Sequence, residues 1–242
     1  MPSRWRSWVV NLSRIEVGML AAVSRSTKMV GFWSAICATA FSLAYIVAQL
    51  AEWSGWLGSG GGPESNSSPT GLILLLTPSL CLGSSFLILI VSVHQLAIAE
   101  RKIWSHVAIA FATAYAVLIS MVYFVQLTLV APRIFQNRTA GIEVFLFRPF
   151  DSFLYAVDIL GYSFMSVATL FAGRIFTGNG IERTARFWLT MNGLLIPFLA
   201  LQMYFHALIW IASLWALTFP AATWSLAIIF RRASLAEKTS GE

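Results

Sequence analysis

The sequence predicts an all-α integral membrane protein, with six transmembrane helices in one bundle and both termini cytoplasmic. Three observations carry this expectation. Hydrophobic residues make up 58% of the chain and charged residues only 11%, whereas a water-facing domain carries about a quarter charged residues. The apolar residues gather into runs of about 20, the length a helix needs to cross the hydrocarbon core of a bilayer. The Lys and Arg residues sit in short flanks between those runs and are shared unequally between alternate flanks, as orientation signals are.

Residues 1–28 precede the first run. They hold Arg4, Arg6, Arg14, Arg25 and Lys28 but no compact apolar core ahead of a small-residue cleavage site, so they do not read as a cleavable signal. Trp5, Trp8, Val9, Leu12 and Ile15 recur at roughly helical spacing. That pattern predicts an amphipathic helix on the anionic cytoplasmic leaflet, with a frayed basic tail as the alternative.

The spans are expected over residues 29–53, 71–93, 107–131, 151–173, 187–205 and 207–230, one membrane domain covering 29–232 with a short tail at 233–242. The fifth and sixth are parted only by a tight connection near His206. Between the first two lies Gly58 to Thr70, read as a flexible Gly/Ser linker with no apolar residue to bury. The segment from Pro132 to Phe150 differs: Ile134, Phe135, Val144, Phe145, Leu146 and Phe147 make it apolar enough to lie on the bilayer or cap the bundle. Thirteen Lys and Arg residues fall in the N-terminal segment, the second and fourth connections and the tail, against Arg133, Arg138 and Arg148 on the other side. Cationic flanks resist translocation, so both termini are expected inside.

Several function classes are excluded. The basic residues form no contiguous face for phosphates, so nucleic acid is not an expected partner. The glycines of the first loop follow no strand and lack the lysine of a phosphate loop. Cys37 and Cys81 lie singly within apolar runs and make no redox or zinc spacing. Three dispersed histidines give no metal-ligand pattern, and no cofactor motif is present. Ser163 lacks a histidine at membrane depth, so a nucleophilic enzyme finds no support.

What the spans do hold is polar residues, each costly in lipid and so requiring a reason. In the fourth span Asp151, Tyr155, Asp158, Tyr162, Met165 and Thr169 recur at intervals of three and four, hence on one helical face. Asp158 lies about 10 Å deeper than Asp151 at the helical rise. The first span carries a similar stripe of Ser42, Tyr45, Gln49, Glu52 and Trp56. The third adds Ser120, Tyr123 and Gln126, and the fifth adds Asn192, Gln202 and His206. Most of these fall in the outer half of the bundle. The sequence therefore predicts an outward-opening polar pocket lined by Gln49, Glu52, Tyr123, Gln126, Tyr155, Asp158, Tyr162 and Gln202, acting as a ligand or proton site. The alternative is that Asp158 only ties helices together through hydrogen bonds.

Three functional classes remain, of which an intramembrane enzyme has the least support in the residues. Of the other two, one is a protein that binds or transports a small molecule through the pocket. The other is an accessory or scaffold protein packed against a membrane partner. The expected location is a plasma or bacterial inner membrane, with the lipid bilayer as the first partner.

Overall fold

The computed structural model describes residues 23–240, with side chains from 23 to 235. The amphipathic helix expected near residues 5–15 lies outside the described residues. Among the described residues the fold is all-helical without strands. Six segments are long and apolar enough to cross a membrane: Arg25–Trp53, Pro69–His94, Ala99–Phe135, Phe153–Gly173, Ile181–Leu201 and His206–Leu235.

Side-chain caps fix where several of these begin. Helix α1 (Arg25–Trp53) starts at Ser24, whose Oγ accepts the Thr27 N–H at 3.2 Å, and α2 (Pro69–His94) starts at Ser68, whose Oγ accepts the Gly71 N–H at 2.9 Å. Such oxygens satisfy a backbone donor that has no partner within the helix. Pro69 opens α2, where its missing N–H costs nothing. Lys28, assigned to the flank from the apolar run alone, belongs to the first turn of α1 and its side chain is buried. A lysine thus stands inside the first spanning segment, at its end, where the sequence placed none.

Helix α3 (Lys102–Val125) follows a 3-10 turn at Ala99–Arg101. It widens into a π-helical segment at Gln126–Val130 before α4 (Ala131–Phe135). Helix α5 (Phe153–Gly173) is capped by Ser152. The fifth span is α6 (Ile181–Gly193) followed by α7 (Ile196–Leu201), with a break at Leu194 and Leu195 just ahead of Pro197. The sixth is a 3-10 turn at His206–Leu208, then α8 (Ile209–Ala212) and α9 (Trp215–Ser240). The fifth span therefore begins six residues earlier than its apolar run, because Glu182, Arg183 and Arg186 occupy its first two turns.

The spans close into a ring in chain order. Helix α1 packs on α2, α2 on α3, α3 on α5, α5 on α6, α6 on α9, and α9 returns to α1. Small residues let these helices approach closely, as they do between membrane helices generally. A β-carbon on Gly31 of α1 would fall 2.4 Å from the Phe230 ring of α9, and one on Gly161 of α5 would fall 2.9 Å from Ile119 of α3. Large apolar side chains such as Val47, Val117, Phe124 and Leu217 face outward and are exposed, as a lipid-facing surface requires.

Polar bonds cross the seams as well. Thr39 and Thr223 hydroxyls meet at 2.7 Å between α1 and α9. Asn192 of α6 is fully buried; its Nδ2 donates to Thr169 Oγ1 of α5 at 3.0 Å, and its Oδ1 accepts from Thr218 Oγ1 of α9 at 3.0 Å. One amide thus joins three helices. Asn192→Ala removes both bonds and is expected to cost about 0.6–2 kcal/mol. That lowers the melting temperature in detergent by about 2–4 °C per kcal/mol for a chain of this size. An unchanged melting temperature would show that the triad contributes nothing.

Candidate functional site

At the end of the ring formed by the C-terminus of α1 and the N-termini of α2 and α5 lies a cavity of about 350 Å³. All but one of the spanning helices reach it at that end, α6 being the exception, and α7 brings the fifth span to the wall. Seven of the eight residues that the sequence singled out line it: Gln49 and Glu52 from α1, Tyr123 from α3, Tyr155, Asp158 and Tyr162 from α5, and Gln202 just after α7.

Gln126 is the one placed elsewhere. It is fully buried, and its Nε2 donates to the Phe145 carbonyl at 2.6 Å. The spacing from Tyr123 would put Gln126 on the same face of a regular α-helix. The helix instead widens to a π turn starting at that residue, and the amide holds the Pro132–Phe150 segment.

That segment caps the bundle. Ile142 is buried, Ile134, Leu146 and Phe147 pack on the core, and Phe147 and Pro149 line the cavity. At its tip Glu143 accepts the Gly141 N–H at 3.1 Å. Donors on its own backbone and on Gly141 hold that carboxyl below the usual carboxylate range. The Gly58–Thr70 segment also differs from the linker expected. Gly55, Gly58, Gly61 and Gly62 take the positive φ that lets the chain fold back on itself. The Gly62 N–H donates to the Trp53 carbonyl at 2.8 Å, Ser59 Oγ donates to the Glu52 carbonyl at 2.7 Å, and Pro63, Ser65 and Ser67 line the cavity mouth. His206 joins the two connections: its Nδ1 lies 3.1 Å from Glu64 Oε1, and its ring stacks on Phe150 at 4.1 Å. It faces Glu64, not Glu52.

Asp158 is the chemical centre. Five of the six tyrosines in the chain gather here: Tyr45, Tyr123, Tyr155 and Tyr162 line the same cavity, and Tyr115 packs on Tyr162 with ring centroids 5.8 Å apart. The sixth, Tyr204, is exposed. The hydroxyls form a partial network. Tyr123 donates to Tyr162 at 3.2 Å, Tyr45 to Gln49 Oε1 at 2.9 Å, and Tyr155 to Gln202 Oε1 at 3.4 Å. Gln202 Nε2 is spent on the Leu199 carbonyl at 3.1 Å.

The network leaves acceptors over. Asp158 Oδ1 and both oxygens of Glu52 are buried with no hydrogen-bond partner among the described residues, as are the Tyr115 hydroxyl and the Trp215 Nε1. Buried polar atoms are almost always paired, and an unpaired carboxylate oxygen is among the costlier exceptions. Two buried carboxylates lining one cavity with free oxygens, and no Lys, Arg or His among the described residues of its wall, make a site suited to an electropositive guest. Among the described residues no cluster of His, Cys, Asp and Glu could hold a metal ion.

Sequence reasoning missed the aromatic part of the wall. Trp215 and Trp210 of the sixth span, Trp53 of α1 and Ser213 all line the cavity. Tryptophans near span ends read as interfacial anchors, and the sixth span has no polar stripe to mark a facing side. The available signal was that all six tyrosines fall within the expected spans. The chain matches no protein-family model, no curated protein and no solved structure.

Proposed function

We propose that this chain is a multi-pass membrane protein that binds or transports a small molecule through the cavity around Asp158 and Glu52. The observation that carries this reading is the pair of buried carboxylates with unpartnered oxygens in a cavity of about 350 Å³. A purely structural Asp158 would be expected to satisfy its oxygens against neighbouring helices, because leaving them unpaired in hydrocarbon is costly. The volume sits at the lower end of the range for small-molecule sites.

The thirteen-to-three distribution of Lys and Arg supports placing both termini in the cytoplasm of a cell or bacterial inner membrane. The cavity then opens on the outer side, beneath the two connections that cover it. A transport cycle would require those connections and the segments broken at Leu194–Leu195 and Ser213–Leu214 to move, since non-helical backbone at membrane depth is tolerated where it lines a cavity.

Ser213→Cys, made with Cys37→Ser and Cys81→Ser, tests the opening and its side. A membrane-impermeant thiosulfonate applied to intact cells should label Cys at 213. Labelling only in inverted vesicles would reverse the orientation. Absence of labelling from either side would make the cavity a dry helix contact and favour the scaffold role.

A further inference from the structure

We infer that the cavity is a site for a small organic ammonium ion, held by Asp158 and Glu52 within an aromatic wall of Tyr45, Tyr162 and Trp215. This inference rests on the small-molecule reading above and names the ligand class for that same site.

Charge decides the sign of the guest. Asp158 is 6% exposed and Glu52 2%, and three of their four oxygens have no partner among the described residues. Among the described residues no basic side chain lines the cavity to balance them. An anion would meet uncompensated repulsion in a medium where charges interact strongly. A neutral guest would leave the carboxylates unanswered.

The wall decides between inorganic and organic cations. Calcium takes six to eight oxygen ligands, and magnesium keeps a near-octahedral shell of oxygens. Here two carboxylates are interleaved with rings and aliphatic side chains such as Leu75, Leu76 and Leu199. The Trp215 ring stands at 87° to Tyr45 and at 90° to Tyr162, both with centroids 5.6 Å away. These edge-to-face contacts fix the three rings together, and all three line the cavity. Trp215 is itself held by stacking on Phe219 at 5.2 Å. An alkylammonium suits such a wall, since its charge is attracted to ring faces and its alkyl groups fill apolar space. A second aromatic pair, Trp53 and Trp210, with centroids 5.5 Å apart, stands on the same cavity wall.

The ammonium could come from a free amine or from the choline or ethanolamine headgroup of a lipid. The test therefore uses the full chain, purified in a maltoside detergent and stripped of phospholipid. Its melting temperature is followed against choline, against the uncharged isostere 3,3-dimethyl-1-butanol, against acetate, and against submicellar dihexanoylphosphatidylcholine. Choline should raise the melting temperature saturably, and the isostere should need at least tenfold more. Acetate should have no effect. Asp158→Asn should weaken the choline response at least tenfold, and Trp215→Leu should weaken it as well. If the short-chain lipid acts at lower concentration than choline and competes with it, the headgroup is the source; the reverse order indicates a free amine, and either order supports the class. A saturable response to isostere or acetate equal to that of choline would overturn the ammonium assignment and leave the small-molecule reading standing. No saturable response to any of the four, together with no labelling at position 213, would overturn both. The comparison of choline with its isostere needs no variant, so a misfolded Asp158→Asn does not spoil it.

Discussion

Gly193→Ala should destabilise the fold by about 1–3 kcal/mol, the usual cost of forcing extra volume into a packed contact. The position ends α6 where it crosses α5. A β-carbon there would lie 2.5 Å from Leu170 Cβ and 2.9 Å from Leu170 Cα. Contacts this short cannot persist, and the second is with backbone, so a rotamer change cannot relieve it. Helix α6 must move away from α5, which also loosens the nearby close approach of Gly173 to Thr190, where only a glycine fits without crowding Thr190 Oγ1. Opposing this, alanine favours a helix by up to about 1 kcal/mol over glycine. The collision should win because it acts on the main chain of a neighbouring span. Thermal unfolding in detergent, with a fall of about 2–4 °C per kcal/mol, measures it. A melting temperature equal to or above that of the parent would mean that α5 and α6 are not packed this closely.

Most of the six-helix architecture is legible from hydropathy, because lipid imposes one solution on an apolar run of sufficient length. What hydropathy misses lies at ends and breaks. Lys28 and the Glu182–Arg186 stretch are helical although charged, since a helix continues past the apolar region once its backbone bonds are propagating. The break at Leu194 and Leu195 is announced by Pro197, which removes a helical donor and is accepted in a first turn. Pro132 stands in the same relation to the π segment at Gln126–Val130, opening α4 directly after it. What the residues do not announce is the tertiary contact there, the Gln126 amide bonded to a loop carbonyl 19 residues on.

The polar face of the site was readable because the spans that carry it are regular helices. Tyr155, Asp158 and Tyr162 keep their three- and four-residue intervals through α5, so sequence spacing and spatial face agree. Gln49 and Glu52 do the same in α1. The failures share one cause. Gln126 sits where the period changes, Trp215 sits where α8 gives way to α9, and the Gly58–Thr70 segment is irregular throughout. Periodicity carries no information across such breaks. Glycine content there signalled flexibility, whereas in the fold positive-φ glycines turn the segment back over the cavity mouth.

Gly71→Ala should act on the site and spare the fold. Gly71 lies in the first turn of α2, and a β-carbon there would fall 2.4 Å from Glu52 Oε2, 2.9 Å from Cδ and 3.0 Å from Oε1. The obstructing atoms are the far end of a side chain with three rotatable bonds, and they border a cavity into which they can swing. Relief is therefore cheap, and the gain in helix propensity partly offsets it. The melting temperature without ligand should stay within about 2–4 °C of the parent, the shift that about 1 kcal/mol gives in a chain of this size. The carboxylate, however, leaves the place that Gly71 makes for it. If Glu52 and Asp158 act together on one ammonium group, the choline response should weaken about tenfold, as it should in Glu52→Gln. Combining the two changes should weaken it no further, because each removes the same interaction. Additive losses would assign Gly71 a role apart from Glu52. An undiminished response in Gly71→Ala and Glu52→Gln alike would leave Asp158 as the sole counter-charge and reduce Glu52 to a bystander at the cavity wall.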